Sequence, residues 1–383
     1  MTQTLTAGDD LPEDQPTLLV RAGSPAALLR LVPHLLGFVP ETSLVVIGVT
    51  PPRDRVRVTL RYDLPDPPEA GLVAEIAAHA VAVLSGQRLT AAVAVGYGPE
   101  TLVTPLANEL RGAAWQAAID VHEFLRVTGG RYWSYTCGNQ ACCPAAGVPF
   151  DAVPDPAEAE ALAIVGDTVL ASRAALAAGV APLGGIAAES MRQATRRAER
   201  HIAQLLAKVR KSARLGAARH MIVAEGLAAV GAMIARYRDG GRFATDDEIA
   251  RISVALRDLR VRDDAWARMD PAHAAAHQRL WTDVVRRAQP RYVAAPAALL
   301  AFVAWQSGEG ALANVALDRA LSDDSRYSMA LLLQQVITAG APPSLARLPM
   351  TPEEVAASYD DAEDHDADDL DVDGQDLDMD DEG

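Results

Sequence analysis

The sequence predicts an α/β domain over residues 17–150, with a mixed or parallel sheet and packed helices, followed by an all-helical domain over 151–345. Three observations predict it. Up to about residue 150, apolar runs of strand length alternate with helical patterns, as in a sheet covered by helices. After Pro154 the strand patterns stop and a helical period takes over. Between Asp360 and Glu382 lie fourteen acidic residues and no Lys or Arg, so the formal charge of −16 falls to −2 without that segment. The charge belongs to one appendage, and 346–383 reads as a short helix and a disordered acidic tail that cannot bury enough apolar surface to offset chain entropy. Residues 1–16 are polar and read as disordered.

Leu18-Leu19-Val20-Arg21 reads as a short strand. Ser24-Pro25 supplies an N-cap and a proline in the first turn for a helix to about Leu36. Thr42 to Val49 is a continuous apolar run rich in β-branched residues, the pattern of a strand buried on both faces. Arg55 to Tyr62 alternates polar and apolar and predicts a strand with one wetter face. A helix follows over 69–85, then a strand over 90–95 that ends at Gly96-Tyr97-Gly98. Pro99 opens a helix to about 118. Residues 121–127 form the fourth main strand, extended by Arg131 to Cys137 as a hairpin.

Helical patterns cover 156–178 and the long stretch 186–237. Thr245-Asp246-Asp247-Glu248 is a capping box for a helix to about Leu259. Asp270-Pro271 starts another to about Ala288. Further helices are expected over 296–306, 309–321 and 326–338, and Thr351-Pro352-Glu353-Glu354 is a second capping box. Trp305, Gly308, Ala313, Leu317 and Ala320 fall at tetratricopeptide spacing and predict one TPR-like helical hairpin. With a single copy, ordinary helix packing is the favoured account of that spacing.

A length of 383 residues, half of them hydrophobic, accommodates two cores. No apolar run reaches the roughly 18–20 residues that span a bilayer. The acidic N-terminus lacks the pattern of a signal peptide. Three clustered cysteines are no secreted disulfide framework and fit a reducing cytoplasm. The reading therefore expects a cytoplasmic protein without membrane partners, and it leaves the oligomeric state open.

Five places could carry chemistry. Cys137, Cys142 and Cys143 lie in an aromatic-flanked turn, where three thiolates, with His122 as a fourth ligand, could hold zinc. The C-x2-C knuckle is missing, so a structural turn with inert thiols is favoured and no cofactor is expected, with zinc and a reactive thiol as alternatives. Gly96-Tyr97-Gly98 joins a strand to a helix N-terminus, where a phosphate could bind, although a tight turn explains it as well. Ser43, Tyr97, Arg131, Trp133 and Tyr135 are the candidate lining of a pocket at the sheet edge. His273 and His277 share a helical spacing but lack the Glu that a zincin needs, which leaves an ordinary helix surface. Between Met191 and Arg219 nine basic residues face one acid, Glu199. Arg192, Arg196, Arg200, Lys211 and Arg214 can form one stripe that contacts phosphate or nucleic acid. The tail, a polyanion tethered to the same chain, would compete for that stripe.

Three separated segments together resemble a known family. They are Leu35-Leu36-Gly37-Phe38-Val39-Pro40-Glu41-Thr42-Ser43-Leu44-Val45-Val46, then Gly130-Arg131-Tyr132-Trp133-Ser134-Tyr135 with Cys142-Cys143-Pro144, then Tyr292 to Pro296 with Ala304-Trp305-Gln306 and Gly310 to Leu317. In this order they resemble the actinobacterial domain of unknown function 4192, over about residues 17–340. The resemblance implies a cytoplasmic bacterial protein and brings no catalytic residues.

No motif gathers a nucleophile, a base and a charge stabiliser. The sequence therefore ranks a non-enzymatic interaction or regulatory protein with a protein partner first. The alternatives are an enzyme, a hydrolase or transferase with its site near Gly96–Gly98 and the Trp133/Cys142/Cys143 turn, and a nucleic-acid-associated protein using the basic helix 191–219.

Overall fold

The computed structural model describes residues 24–51, 55–154, 159, 162, 169–210, 215–241, 244–345 and 351–360. The expected disorder of 1–16, the strand at 18–21, about half of the expected helix 156–178, Lys211, Arg214 and the tail beyond 360 lie outside the described residues. The chain divides into two compact units, and each combines separate stretches of sequence. One comprises Met1–Ala181 with Leu300–Ala346, the other Pro182–Leu299 with Arg347–Gly383. The division falls at 181/182 rather than near 150, and 300–346 returns to the unit that holds the sheet.

In the first unit, helix α1 (Pro25–Leu36) starts at Ser24, whose Oγ accepts from the Ala27 amide at 3.2 Å, and stops at Gly37. Then come β1 (Ser43–Thr50), β2 (Arg55–Asp63), α2 (Ala70–Gly86), β3 (Ala91–Tyr97), α3 (Glu100–Gln116), β4 (Asp120–Thr128), β5 (Arg131–Ser134), β6 (Val148–Pro149) and α4 (Arg173–Gly179). The sheet is mixed, in the order β2-β1-β3-β4-β5-β6. Among these described strands β3 and β4 run parallel, joined by α3, and the other neighbouring pairs are antiparallel.

Burial on both faces explains the continuous apolar run in β1. Leu44 and Val46 join Val58, Leu60, Ala92, Ala94 and Phe124 under α2 and α3. Val45, Ile47 and Val49 turn the other way, among Val95, Leu125, Tyr132 and the α1 residues Leu29, Val32 and Leu36. Helix α10 (Ala294–Gln306) begins two residues before Pro296, which sits in its first turn, where no intrahelical N–H partner is required. The residues of α10 beyond 299 belong to this unit, followed by α11 (Gly310–Asp323) and α12 (Ser328–Thr338). Helix α11 packs on α4 and α12, and its Ala311 joins the core of the second sheet face. Of the residues at tetratricopeptide spacing, Trp305, Ala313, Leu317 and Ala320 are buried.

The second unit is helical. Its elements are α5 (Gly185–Arg210), α6 (Leu215–Arg238), α7 (Asp246–Ala255), α8 (Leu259–Ala267), α9 (Ala274–Arg287), the start of α10, and α13 over 352–360. The stretch 186–237 is two helices rather than one, since α5 and α6 pack side by side. The helix begun by the capping box ends at Ala255, and α8 is a separate helix whose N-cap, Asp258, accepts from the Arg260 amide at 3.0 Å. Both capping boxes form, Thr245 with Glu248 and Thr351 with Glu354.

One expectation about apolar runs needs correction. Ala218–Arg238, 21 residues of α6, is long and apolar enough by length and composition to cross a membrane. Small residues spread through it supply that character without a clean aliphatic run. In this unit α6 packs against α5, α7, α8 and α9, and buries Val230, Met233, Ile234 and Tyr237. A core helix passes the same test.

Candidate thiol centre at the end of the β4–β5 hairpin

The two-residue turn Gly129-Gly130 folds β5 back on β4 with Arg126 opposite Trp133 and Leu125 opposite Ser134. This register sends side chains alternately to the two sheet faces. Toward α2 and α3, the Arg126 guanidinium stacks 3.9 Å from the Trp133 ring centroid and reaches Glu100 at 3.3 Å. Tyr135 meets Phe124 edge-on at 5.4 Å, and its hydroxyl lies 2.6 Å from Thr104 Oγ1. Toward the other face, Ser134 Oγ donates to Glu123 at 2.6 Å, and Thr136 Oγ1 donates to the same carboxylate oxygen.

Ser134 Oγ also accepts from the Thr136 and Cys137 amides at 3.2 and 3.0 Å, which starts the turn that carries the cysteines. The Asn139 carbonyl then accepts from the Cys142 and Cys143 amides at 3.2 and 2.8 Å, and the Asn139 side chain accepts from the Ala141 amide at 2.9 Å. The far end is held by the hairpin. Trp133 Nε1 donates to the Ala145 carbonyl at 3.0 Å, and Arg131 donates to the carbonyls of Ala146 and Gly147 at 2.7 and 2.8 Å. Gly147 has φ 75°, and a Cβ there would lie 2.5 Å from the Trp133 ring, so the position requires glycine twice over.

These backbone constraints bring the three thiols together. Cys137 Sγ is 3.1 Å from Cys142 Sγ, Cys142 Sγ is 3.8 Å from Cys143 Sγ, and all three sulfurs lie within 4.8 Å of one another. Hydrogen bonds from the Cys142 thiol and the Asn139 backbone hold the Cys137 thiol below its ordinary range. Its hydrogen bond to Cys137, reinforced by desolvation, pushes the Cys143 thiol up to about 12. His122 is not in this group. It lies on β4 with Nε2 3.5 Å from Asp120 Oδ2.

The five residues expected to line one pocket lie apart. Ser43 and Tyr97 are paired in register and point to the α1 face with Val45 and Val95. Ser43 Oγ donates to the Glu41 carbonyl at 2.5 Å. The Tyr97 hydroxyl is buried with no hydrogen-bond partner among the described residues, and burial pushes its pKa well above the ordinary range. Trp133 and Tyr135 stand on the opposite face, and Arg131 staples the cysteine loop. Gly96 is a packing residue, since a Cβ there would meet Val103 of α3 at 2.3 Å. His273 and His277 do not converge either. His273 Nδ1 contacts Asp270 at 2.8 Å, whereas His277 is buried and accepts from the Asp270 amide at 3.5 Å.

On the basic helix, Arg196 and Arg200 line a concavity of about 560 Å³ together with Gln193, Arg197, Glu199 and Ala203. Arg192 is paired with Glu189, and Arg197 with Asp247 at 2.7 Å. Glu199, the lone acid of the stripe, accepts from the Tyr292 hydroxyl at 2.6 Å and from Arg291 at 3.3 Å. The sequence reading missed Arg126, Glu123 and Arg197. The first two matter only through the β4–β5 register, which Gly129-Gly130 between two apolar runs does signal.

Fold and site together define a protein with a mixed α/β sheet unit, a helical unit and an exposed three-cysteine turn. Residues 25–344 match the model of the domain of unknown function DUF4192, and the chain belongs to that family. No curated protein and no solved structure matches it.

Proposed function

We propose that this chain is a non-enzymatic regulatory protein whose responsive element is the three-thiol turn at 137–143. The observation that carries this reading is the convergence of three sulfurs within 4.8 Å on an exposed loop braced by β4 and β5. A thiol cluster changes state by metal binding or oxidation, and either change would pull on the Asn139 and Ser134 hydrogen bonds and so on the hairpin. An enzymatic reading has less support, because Ser43 and Tyr97 face away from Trp133 and Tyr135 across the sheet. The free thiols suit a reducing cytoplasm. Hydrogen exchange over 131–150, compared between reduced, oxidised and alkylated protein, tests the proposal. It predicts altered protection in β5 and β6 with the rest of the sheet unchanged, and identical protection in all three states would end it.

A second reading is favoured by the arginine-lined concavity on α5, which suits a phosphate backbone. It predicts salt-sensitive binding of duplex DNA that Arg196→Glu with Arg200→Glu abolishes and that removal of residues 361–383 strengthens. Binding that both changes leave alone would refute it.

A further inference from the structure

The positions of the three sulfurs carry a more specific inference, which rests on the reading that the thiol turn is the responsive element. We propose that Cys137, Cys142 and Cys143 bind one divalent zinc-type cation as thiolates, and that its fourth coordination position is open to water or an external ligand.

The geometry separates this from a disulfide switch. A disulfide uses two sulfurs about 2.05 Å apart and has no use for a third. Tetrahedral zinc with Zn–S bonds of about 2.3 Å places its sulfurs about 3.8 Å apart. Cys142 and Cys143 already stand at 3.8 Å, Cys137 and Cys142 at 3.1 Å, and the whole set lies within 4.8 Å. Bringing the sulfurs from these distances to about 3.8 Å takes side-chain rotations and a small adjustment of the turn, and this makes one face of a tetrahedron.

The backbone is already committed. Adjacent cysteines usually diverge, but the Cys142 and Cys143 amides both donate to the Asn139 carbonyl, which turns the two side chains toward Cys137. Ser134 Oγ fixes Cys137 through its amide, and the same hydroxyl is held by Glu123. Each thiol is thus positioned by partners that are not themselves ligands, the outer support that metal sites depend on. Among the described residues, no His, Asp, Glu or further Cys joins the three sulfurs within ligand range. Three protein ligands and one open position is the pattern of zinc sites that exchange an external ligand, in contrast to closed structural sites. The loop is exposed at Cys142, so an ion and an external ligand can reach the sulfurs.

Cobalt(II) titration of the reduced full-length chain is the test. A thiolate-to-cobalt charge-transfer band should saturate at one equivalent, and zinc should displace it. Cys137→Ser, Cys142→Ser and Cys143→Ser should each weaken zinc binding by more than the roughly 10–100-fold that loss of an outer partner costs. His122→Ala should leave the affinity unchanged, and an added small thiol should alter the cobalt spectrum by entering the open position. Circular dichroism of the variants checks folding, and wild-type protein with alkylated thiols gives a variant-free comparison that should show no band. A missing band when all three thiols are free would overturn the proposal, as would any one Cys→Ser that leaves the zinc affinity within about tenfold of the wild type. A spectrum indifferent to the added thiol, or a loss on His122→Ala as large as a cysteine loss, would overturn the open position. The outcome is separable from the regulatory reading. Oxidation-dependent exchange at the hairpin without metal binding leaves that reading standing, and metal binding without any response of the hairpin removes it.

Discussion

Replacing Gly147 by alanine puts the site's architecture under direct load. Gly147 has φ 75°, a conformation that costs an ordinary L-residue about 1–2 kcal/mol. The new Cβ would also lie 2.5 Å from Trp133 Cε2 and 2.7 Å from Cζ2, and these are ring atoms of a side chain that cannot bend aside. Overpacking of this kind costs about 1–3 kcal/mol, so the two effects together amount to roughly 2–5 kcal/mol. Trp133 is held by Arg126 on its face and by its bond to the Ala145 carbonyl, so its movement would unstack the guanidinium and loosen the cysteine loop. For a unit of this size each kcal/mol shifts Tm by about 2–4 °C. Thermal unfolding followed by tryptophan fluorescence should therefore show a drop of at least about 4 °C for Gly147→Ala. Gly112→Ala, in the exposed part of α3 with nothing within 4 Å of the new Cβ, is the matched control and should stabilise by about 0.5–1 kcal/mol. A Gly147→Ala protein that melts with the wild type would refute the account of how the loop is held.

Further outcomes follow from other sites. Stability should fall as pH drops below about 6.5, because burial holds His79 and His277 below the ordinary imidazole value of 6.5. In that window the unfolded chain takes up protons that the folded chain refuses, so ΔG of unfolding rises with pH. Burial lowers His79 against the Thr338 carbonyl, which faces Nε2 at 3.1 Å and pulls the other way; in the neutral ring Nε2 carries the proton toward that carbonyl and Nδ1 accepts from Tyr62. His79→Gln should flatten the dependence of Tm on pH between 7.5 and 5.5, and an unchanged profile would show that this histidine does not contribute. Thr245→Ala removes one half of the α7 capping box and should cost about 1 kcal/mol in urea unfolding. Glu248, lowered to about 2 first by Arg236 and then by the Thr245 backbone, is depressed below its ordinary value, so its contribution is present above about pH 4.5 and disappears as pH falls toward 2. Trp281→Ala, at a fully buried position of α9, should destabilise by about 3–5 kcal/mol, and a loss under 1 kcal/mol would contradict its place in the helical core.

The hairpin shows where reading the sequence stops. Residues 131–137 read as a continuation of strand, but β5 ends at Ser134, because the Ser134 hydroxyl takes the next amides and starts a turn. That hydrogen bond depends on Glu123, which lies eleven residues earlier in the chain and faces Ser134 only once β4 and β5 pair. The helix α8 was hidden for a local reason, since its N-cap Asp258 follows the end of α7 too closely to appear as a separate start.

What the sequence determined by itself is what depends on near neighbours along the chain. The capping boxes, the Ser24-Pro25 start, the doubly buried run of β1 and the family signatures all lie within a few residues. Only the tertiary structure decided matters that depend on pairing across distance. Sheet register sent Ser43 and Tyr97 to one face and Trp133 and Tyr135 to the other, which divided the expected pocket. It placed Glu123 under Ser134, and through that hydroxyl and the Asn139 turn it brought three cysteines of uneven spacing to a single point.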